Sequence, residues 1–504
     1  MGPIFLLIGA ALSAEPGNTG AFGAPVGSAP PGYRVEWICD ITRKWTGSEA
    51  SGSLTPRARW VRIHVWYPAT PGTGATMTLR DYFDSPAPPG VPADLAAAIR
   101  SNDLGTPSYS FRGIYRGDEA AFSRALETRM AARNGAEPAR GTFPVVVYAT
   151  GQNDFTQDAV LLGEFLASCG YVVVTVPHLG TGPRRALLFV HDPLSYETQL
   201  RDLEVALQTA LKLPFADGAR VAAVGHSYGG IYALLLAMRG PLVRGVVGLD
   251  PTYVARRAPY ELDLRKLPYF DPDLRLPIVT LRRGSGDVDR TLIDGFHRSD
   301  RLEIVFPGLL HGDFTTVAFL RRDLPDALQI REELEVRSPE RAAAGASSVF
   351  RQVEASLARI LSDQPIEGGL APEDATKRSV RFTAACRVPT SEELYWILVR
   401  KGLDAARATA ASARSTCPGV PVFEEARCLT IARELGYAGK ESESLDMFRL
   451  VATLFPESSS AQLAAAEALS EAGKSDEARK RFEDALRLDP GNRKAAEGLN
   501  KLRG

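Results

Sequence analysis

Short apolar runs alternate with amphipathic segments through the middle of the chain. Continuous apolar runs, typical of strands buried on both faces of a sheet, predict strands at 143–149, 171–177, 221–224, 243–249, 277–281 and 302–306. Between them, residues 158–168 and 196–213 have helical periodicity, and Leu200, Leu203 and Leu207 share one face of the second segment. Strands that alternate with helices predict the α/β class, with a doubly wound, mostly parallel sheet.

The pattern differs on both sides of this block. Residues 59–68 alternate like an antiparallel strand that stops at Pro68. Residues 69–140 are rich in Pro and Ala, and we interpret them as an insertion rather than as sheet, with helical patches around 93–100 and 118–133. Residues 341–361 predict a closing helix. We therefore expect an α/β domain at 33–365 and a linker at 366–390.

The C-terminal part repeats itself at an offset of 34 residues. The matching pairs are Leu429/Leu463, Ala432/Ala466, Leu435/Leu469, Ala438/Ala472, Gly439/Gly473, Lys440/Lys474, Glu443/Glu477, Phe448/Phe482, Leu454/Leu488 and Pro456/Pro490. A 34-residue period, with small residues at helix crossings and Pro after the second helix, is typical of tetratricopeptide repeats. We expect an all-α repeat domain at 391–504. Such repeats bind peptide or protein partners or pack on a neighbouring domain, and the sequence leaves both roles open.

The first residues resemble an export signal. The apolar run at 4–12 is too short to span a bilayer, but it fits the core of a secretory signal peptide with cleavage near Ala14. No Lys or Arg precedes the run, and the first basic residue is Arg34. We expect a signal peptide and flexible leader at 1–32, and an exported protein, periplasmic or secreted, without a transmembrane span in its mature form.

Composition narrows the classes of function. The net charge of −1 over 504 residues gives no basic excess of the kind that binds nucleic acid. The five cysteines have no Cys-x-x-Cys spacing and the six histidines contain no His-Glu-x-x-His pattern, so no metal site is expected. The odd number of cysteines leaves at least one unpaired within the monomer.

The strongest chemical motif follows the apolar run at 221–224. Gly225-His226-Ser227-Tyr228-Gly229 is a Gly-x-Ser-x-Gly sequence between a predicted strand and a predicted helix. In that context a serine lies at the tip of a strained turn and acts as a nucleophile. A chance match in an ordinary Gly-rich turn is the alternative, but the flanking strand and helix favour Ser227 as a nucleophile.

A serine nucleophile needs a histidine base and a carboxylate that orients it, in the chain order Ser, acid, His. His297 and His311 follow Ser227, and we prefer His311 because it lies in the loop after the last predicted strand. Two residues qualify as the acid. Asp250 ends the strand after the serine helix, and Asp287 follows the next strand, where most enzymes of this fold carry the acid.

From Trp66 to Phe314 the chain resembles α/β-hydrolases of the platelet-activating-factor acetylhydrolase group and the dienelactone-hydrolase-like serine esterases. The matching pieces are 143–148, 166–173, 225–230, Gly248-Leu249-Asp250 and His311-x-x-Phe314. In that group the acid follows the strand after the nucleophile. The resemblance therefore implies Asp250 as the acid, with Asp287 as the alternative.

The resemblance also implies that the loop after the strand at 143–149 contributes to the oxyanion site. The family usually has His-Gly there, whereas this chain has Thr150-Gly151-Gln152. Stabilisation of an oxyanion needs backbone N–H groups, so a changed side chain is compatible with the function. We predict the amides of Gln152 and Tyr228 as the oxyanion donors. The implied activity is a serine esterase acting on small-molecule esters with short or small acyl groups, without metal or organic cofactor.

Two other functions are compatible with the sequence. The first is a hydrolase-like binding protein of low activity that recruits a peptide or protein through its repeats. The second is a peptidase or amidase that uses the same triad. Intact candidates for the serine, histidine and acid favour the esterase.

Overall fold

The architecture comes from a computed structural model, which describes residues 19–46, 56–84, 86–93, 96–97, 114–115, 118–152, 156–178, 193–257, 260–284, 289–320, 339–371 and 378–502. The chain divides into two compact units, Met1–Ala384 and Ala385–Gly504. The predicted signal peptide, Asp287 and much of the helical patch at 93–100 lie outside the described residues.

The first unit combines strands and helices. Its described strands and helices, in chain order, are β1 Pro31–Thr46, β2 Pro56–Pro68, β3 Ala75–Thr78, α1 Glu119–Leu126, β4 Arg129–Asn134, β5 Phe143–Ala149, α2 Val160–Ser168, β6 Val172–Val176, α3 Pro193–Leu211, β7 Ala216–His226, α4 Gly229–Arg239, β8 Val243–Leu249, β9 Ala255–Arg257, β10 Tyr260–Leu262, β11 Ile278–Arg283, α5 Thr291–Gly295, β12 Arg301–Phe306, α6 Val317–Leu320, α7 Pro339–Leu361 and β13 Ser379–Thr383.

Eleven of the described strands form one sheet, in the order β13-β12-β11-β8-β7-β5-β6-β2-β1-β4-β3. The six strands from β12 to β6 in this order are mutually parallel. Antiparallel β13 and β2 flank this parallel block. The predicted doubly wound, mostly parallel sheet is confirmed, and β7, which leads to Ser227, lies near its centre.

Both faces of the parallel block are buried, which explains its continuous apolar runs. Val146 and Tyr148 of β5 belong to one core cluster, which also contains the apolar sides of α2 and α7. Val145 and Val147 point the other way, into a second cluster with α3 and α4. Because successive side chains of a strand point to opposite faces, a strand covered on both sides is apolar throughout.

The prediction that residues 69–140 lie outside the sheet is wrong. β3 pairs with β4, and β4 adds to β1 through Gly32 and Tyr33. The Arg133 guanidinium of β4 donates to the Thr73 carbonyl at 2.5 Å and to the Gly74 carbonyl at 2.6 Å, which joins β4 to the residues just before β3. Short strands with mixed composition form here because an existing sheet edge supplies their partners. Of the predicted helical patch at 118–133, only Glu119–Leu126 is helical, as α1.

The predicted flexible leader and the predicted linker also need correction. Residues 19–32 of the predicted leader pack on the end of α2, where Gly27 N–H donates to Ser168 Oγ at 2.6 Å and Ala29 N–H donates to the Ser168 carbonyl at 3.0 Å. A side chain at Gly27 would collide with the Ser168 backbone, so glycine is required for this approach. Within the predicted linker at 366–390, Ser379–Thr383 forms β13 and covers the edge of β12.

The second unit consists of helices in the described part of the chain. They are α8 Ser391–Lys401, α9 Leu403–Thr416, α10 Glu425–Tyr437, α11 Glu441–Leu454, α12 Ser459–Glu471, α13 Ser475–Leu488 and α14 Arg493–Lys501. The bounds of α10 and α11 recur 34 residues later in α12 and α13, and α12 and α14 begin 34 residues apart. Small residues such as Ala432, Ala466 and Ala478 are fully buried between these helices.

A disulfide joins Cys386, before α8, to Cys417, after α9, with the two Cα atoms 6.1 Å apart. Cys39, Cys169 and Cys428 are free. Across the described parts of both units, no helix has both the length and the apolar character that crossing a membrane requires.

Candidate active site

Ser227 occupies a sharp turn between β7 and α4. Its φ of +53° lies in the left-handed region, which is uncommon for a residue with a side chain. Ser227 N–H donates to the Leu249 carbonyl at 3.1 Å, and the Ser227 carbonyl accepts from Thr252 N–H at 2.7 Å. Both partners flank Asp250, so hydrogen bonds hold the strained turn against the end of β8.

The glycines of the motif are required by close backbone approach. A Cβ atom at Gly225 would lie 2.1 Å from the Gly229 carbonyl oxygen, and one at Gly229 would lie 2.0 Å from the Ala149 carbonyl oxygen. At Gly230 a Cβ atom would lie 2.5 Å from Pro251 Cβ. Any side chain at these positions would force α4 away from the ends of β5, β7 and β8. The turn therefore has this shape only with glycines at these three places.

Asp250 follows β8 directly and is also strained, with φ of +39°. Its backbone N–H donates to the Leu281 carbonyl at 2.6 Å. Its Oδ1 accepts from Arg283 N–H at 3.1 Å, and Arg283 Nε lies 3.4 Å from Oδ2. These contacts with β11 fix the direction of the carboxylate.

The second oxygen of this carboxylate binds His311. Asp250 Oδ2 lies 2.6 Å from His311 Nδ1. An ionised carboxylate only accepts hydrogen bonds, so Nδ1 of a neutral His311 carries the proton and Nε2 has the free lone pair. The Asp250 side chain is 6% exposed and that of His311 is 39% exposed, so the basic side of the imidazole can meet a substrate.

The environment of Asp250 keeps it ionised. Burial by itself raises the pKa of this carboxyl. The hydrogen bond and charge of His311 lower it, as do the Arg283 N–H and guanidinium, and together they outweigh burial. The pKa of Asp250 therefore lies below its ordinary value, and the carboxylate remains available to stabilise a positive imidazole.

His311 begins the 3₁₀ turn His311–Phe314, which follows β12. Asp313 Oδ2 accepts from Leu310 N–H at 2.7 Å and closes this turn. His226 Nε2 lies 3.2 Å from the His311 carbonyl oxygen, and the two rings are 4.6 Å apart. Because His226 immediately precedes Ser227, this contact connects the serine turn to the histidine turn. No sequence pattern predicts this connection, since it joins two segments that are distant in the chain.

The other candidates for base and acid have different positions. His297 lies before β12, whereas His311 lies after it, and the six-residue strand between them is roughly 20 Å long. His297 is therefore at the amino ends of the parallel strands, whereas Ser227 is at their carboxyl ends. The Asp287 alternative lies outside the described residues. Arg283, which holds Asp250 in place, has no motif in the sequence that would have revealed it.

The two predicted oxyanion residues lie where β5 ends and where α4 begins. Gln152 is in the loop after β5, and Tyr228 immediately precedes α4. The close approach of Gly229 to the Ala149 carbonyl brings the start of α4 directly against the end of β5. The structure thus places the N-terminus of α4 beside the loop that carries Gln152. In the described residues, no cluster of His, Cys, Asp and Glu has the composition of a metal site.

Ligands of doubly wound sheets bind at the carboxyl ends of the strands, and this is the edge at which Ser227, Asp250 and His311 lie. A strained serine turn between a central strand and a helix at that edge defines the α/β-hydrolase fold class. Comparison with protein families agrees, because the model described as "Alpha/beta hydrolase family" matches residues 150–425, more than half of the chain. The chain belongs to the alpha/beta hydrolase family.

Comparisons with individual proteins are more distant. No curated protein matches the chain in sequence. Among solved structures, a ferulic acid esterase from Streptomyces cinnamoneus is similar with 21% sequence identity and a TM-score of 0.47, over 70% of this chain and 96% of that chain. This likeness is too remote to carry an argument about activity.

Proposed function

We propose that the protein is a serine hydrolase that cleaves carboxylic esters through an acyl-enzyme. The observation that carries this proposal is the 2.6 Å hydrogen bond between His311 Nδ1 and Asp250 Oδ2, at the strand ends that also hold the strained Ser227 turn. A serine hydroxyl is a weak nucleophile until a base removes its proton, and an oriented histidine is that base.

The reaction follows from these positions. Ser227 Oγ attacks the ester carbonyl while His311 Nε2 takes its proton, and Asp250 stabilises the resulting imidazolium. The amides of Gln152 and Tyr228 bind the oxyanion of the tetrahedral intermediate. His311 then returns the proton to the leaving alcohol. Water attacks the acyl-enzyme by the same route, which releases the acid and restores Ser227.

Covalent labelling tests the nucleophile. A fluorophosphonate should label the folded protein once, and mass spectrometry should place the label on Ser227. Ser227→Ala should abolish both labelling and ester hydrolysis, whereas Ser347→Ala should change neither, because Ser347 Oγ only donates to the Ala343 carbonyl within α7. Folded protein that is neither labelled nor active on any ester would contradict the proposal.

The substrate class is tested with esters of graded acyl length. The resemblance to platelet-activating-factor acetylhydrolases and related esterases supports short or small acyl groups, so kcat/KM should be highest for acetyl to butyryl esters. The same panel should include amides and peptides with matched acyl groups. Amide turnover that equals ester turnover would favour a peptidase or amidase on the same triad.

A binding role for the second unit is the other candidate function. The recurrence of helix bounds at 34 residues supports tetratricopeptide repeats, which bind peptides in many proteins. Trp396 of α8 is 48% exposed, with the Arg400 guanidinium 5.4 Å from its ring centre, and offers an aromatic contact. Full-length Ser227→Ala protein should select peptides from a random library, and an added Trp396→Ala substitution should weaken their binding. Equal binding by both variants would contradict a role for Trp396.

We further propose that the protein is exported. The Cys386–Cys417 disulfide supports an oxidising compartment, where such bonds persist. Expression of the full-length chain in a bacterium, followed by fractionation and N-terminal sequencing, should yield periplasmic or secreted protein that starts near residue 15. Uncleaved protein confined to the cytoplasm would contradict export.

A further inference from the structure

His178 is a buried histidine that contacts the loop after β5. It follows β6 by two residues and is 1% exposed. Its Nδ1 lies 2.8 Å from the Gly151 carbonyl oxygen, and its Nε2 lies 3.2 Å from the Tyr232 hydroxyl of α4. The imidazole thus connects the Gln152 loop to the helix that begins after Ser227.

The partners determine which nitrogen carries the proton. The Gly151 carbonyl only accepts hydrogen bonds, so Nδ1 of His178 must donate to it. In the neutral ring Nε2 is then an acceptor, and the Tyr232 hydroxyl donates to it. Tyr232 is fully buried and meets the imidazole edge to face, with ring centres 5.3 Å apart. The Gly151 carbonyl therefore fixes the tautomer of His178, and Tyr232 fixes the orientation of its ring.

The contact with Gly151 controls the amide of the next residue. The Gly151 carbonyl and the Gln152 N–H belong to one planar trans peptide unit and point in opposite directions. A donor that holds this carbonyl therefore also sets the direction of the Gln152 N–H. The constraint matters here because a peptide that follows glycine rotates more easily than others.

We propose that His178, oriented by Tyr232, is a positioning residue that aims the Gln152 N–H at the oxyanion. This inference rests on the proposed serine hydrolase function. His178 does not touch the reacting atoms and acts only through the Gly151–Gln152 peptide. It holds the amide in place before the substrate arrives, so that no reorganisation is needed when negative charge develops.

Substitutions at His178 separate this role from simple packing. His178→Ala removes the donor to Gly151, whereas His178→Asn keeps an N–H donor near the position of Nδ1. With p-nitrophenyl butyrate as the probe, His178→Ala should lower kcat about 100-fold, the usual effect of losing one oxyanion donor, with little change in KM. His178→Asn should recover much of this loss.

The affinity for a trifluoromethyl ketone inhibitor is a second measurement, which a purely structural role of His178 would not change. The ketone forms a tetrahedral oxyanion on the serine, so its affinity should fall in His178→Ala in parallel with kcat. A kcat of His178→Ala near the wild-type value, or a fall in kcat without a parallel fall in ketone affinity, would overturn the inference.

Tyr232→Phe provides a milder variant in case His178→Ala does not fold. It keeps the ring in the core and should lower kcat and ketone affinity by a smaller factor. Tyr67→Phe is its matched control, since it removes a buried hydroxyl bond to the Ala136 carbonyl. Equal kcat in the two tyrosine variants would contradict the role of His178. Wild-type protein that neither hydrolyses the ester nor reacts with a fluorophosphonate would instead contradict the proposed function, and this inference with it.

Discussion

Asp250 Oδ2 and His311 Nδ1 lie 2.6 Å apart, although the two residues are 61 positions apart in the chain. Asp250 follows β8 and His311 follows β12, and β11 separates these two strands in the sheet. Parallel strands end at the same edge, so residues that follow two nearby strands can meet there. The left-handed backbone of Asp250 and its contacts with Arg283 turn the carboxylate toward His311.

This pairing predicts a large effect of Asp250→Asn. The amide cannot stabilise the imidazolium and can stabilise the wrong tautomer of His311, so kcat should fall on the order of 10⁴-fold. Steady-state hydrolysis of a short-chain ester measures the effect. Asp287→Asn is the control and should remain near wild type. If only Asp287→Asn loses this activity, or if both variants lose equally little, Asp250 is not the acid.

The shape of the serine turn predicts different outcomes for two glycines. Gly229→Ala would place a methyl group 2.0 Å from the Ala149 carbonyl oxygen, and the turn can relieve this overlap only by moving backbone. The free energy of unfolding should fall by about 3 kcal/mol or more, with loss of labelling at Ser227. Gly295→Ala meets no atom within 4 Å and should leave stability unchanged or slightly higher. Urea unfolding followed by circular dichroism compares them, and equal midpoints would contradict the steric argument.

Glu164 of α2 predicts a pH dependence of stability. It is buried against β4, where it accepts from the Tyr82 hydroxyl at 2.7 Å and from Ala132 N–H at 3.0 Å. Burial is the largest influence and raises the pKa of this carboxyl from 4.5 to about 7, although these hydrogen bonds oppose it. The folded state therefore holds a proton that the unfolded state has lost between these pH values.

Stability due to Glu164 should accordingly fall as pH rises from 4.5 to about 7 and then level off. Relative to Glu164→Gln, which stays neutral, the wild type should lose on the order of 3 kcal/mol across this window. Urea titrations at several pH values measure the difference. Glu137→Gln, at an exposed glutamate, is the control for the loss of one charge. A wild-type and Glu164→Gln difference that does not vary with pH would show that Glu164 does not titrate there.

The Cys386–Cys417 disulfide predicts that the second unit is sensitive to reductant. The bond closes a loop with a sequence separation of 31, which corresponds to about 4 kcal/mol by loop entropy. Dithiothreitol should lower the unfolding midpoint of wild-type protein but not that of a Cys386→Ser, Cys417→Ser double variant. Cys39→Ser, at an exposed free cysteine, should respond like wild type. An unchanged wild-type midpoint in reductant would contradict a stabilising disulfide.

The sequence by itself determined the central sheet and the candidate residues. The runs at 143–149 and 243–249 match β5 and β8 at both ends, because a strand buried on both faces must be apolar throughout. The glycines around Ser227 predicted a tight turn because only glycine tolerates such backbone approach. The order of Ser227, Asp250 and His311 along the chain was also readable without coordinates.

Only the tertiary structure decided which elements join the sheet edges and which side chains meet. Tyr33 and Val35 alternate with charged residues, but β1 forms because β2 supplies its partner. β3 and β13 are the two edge strands of this sheet and β4 lies next to β3; the pairing of these short strands depends on neighbours that are distant in sequence. The contacts of Arg283 with Asp250 and of His178 with Gly151 have no local signal, because hydrogen bonds between loops depend on how the strands are ordered in space.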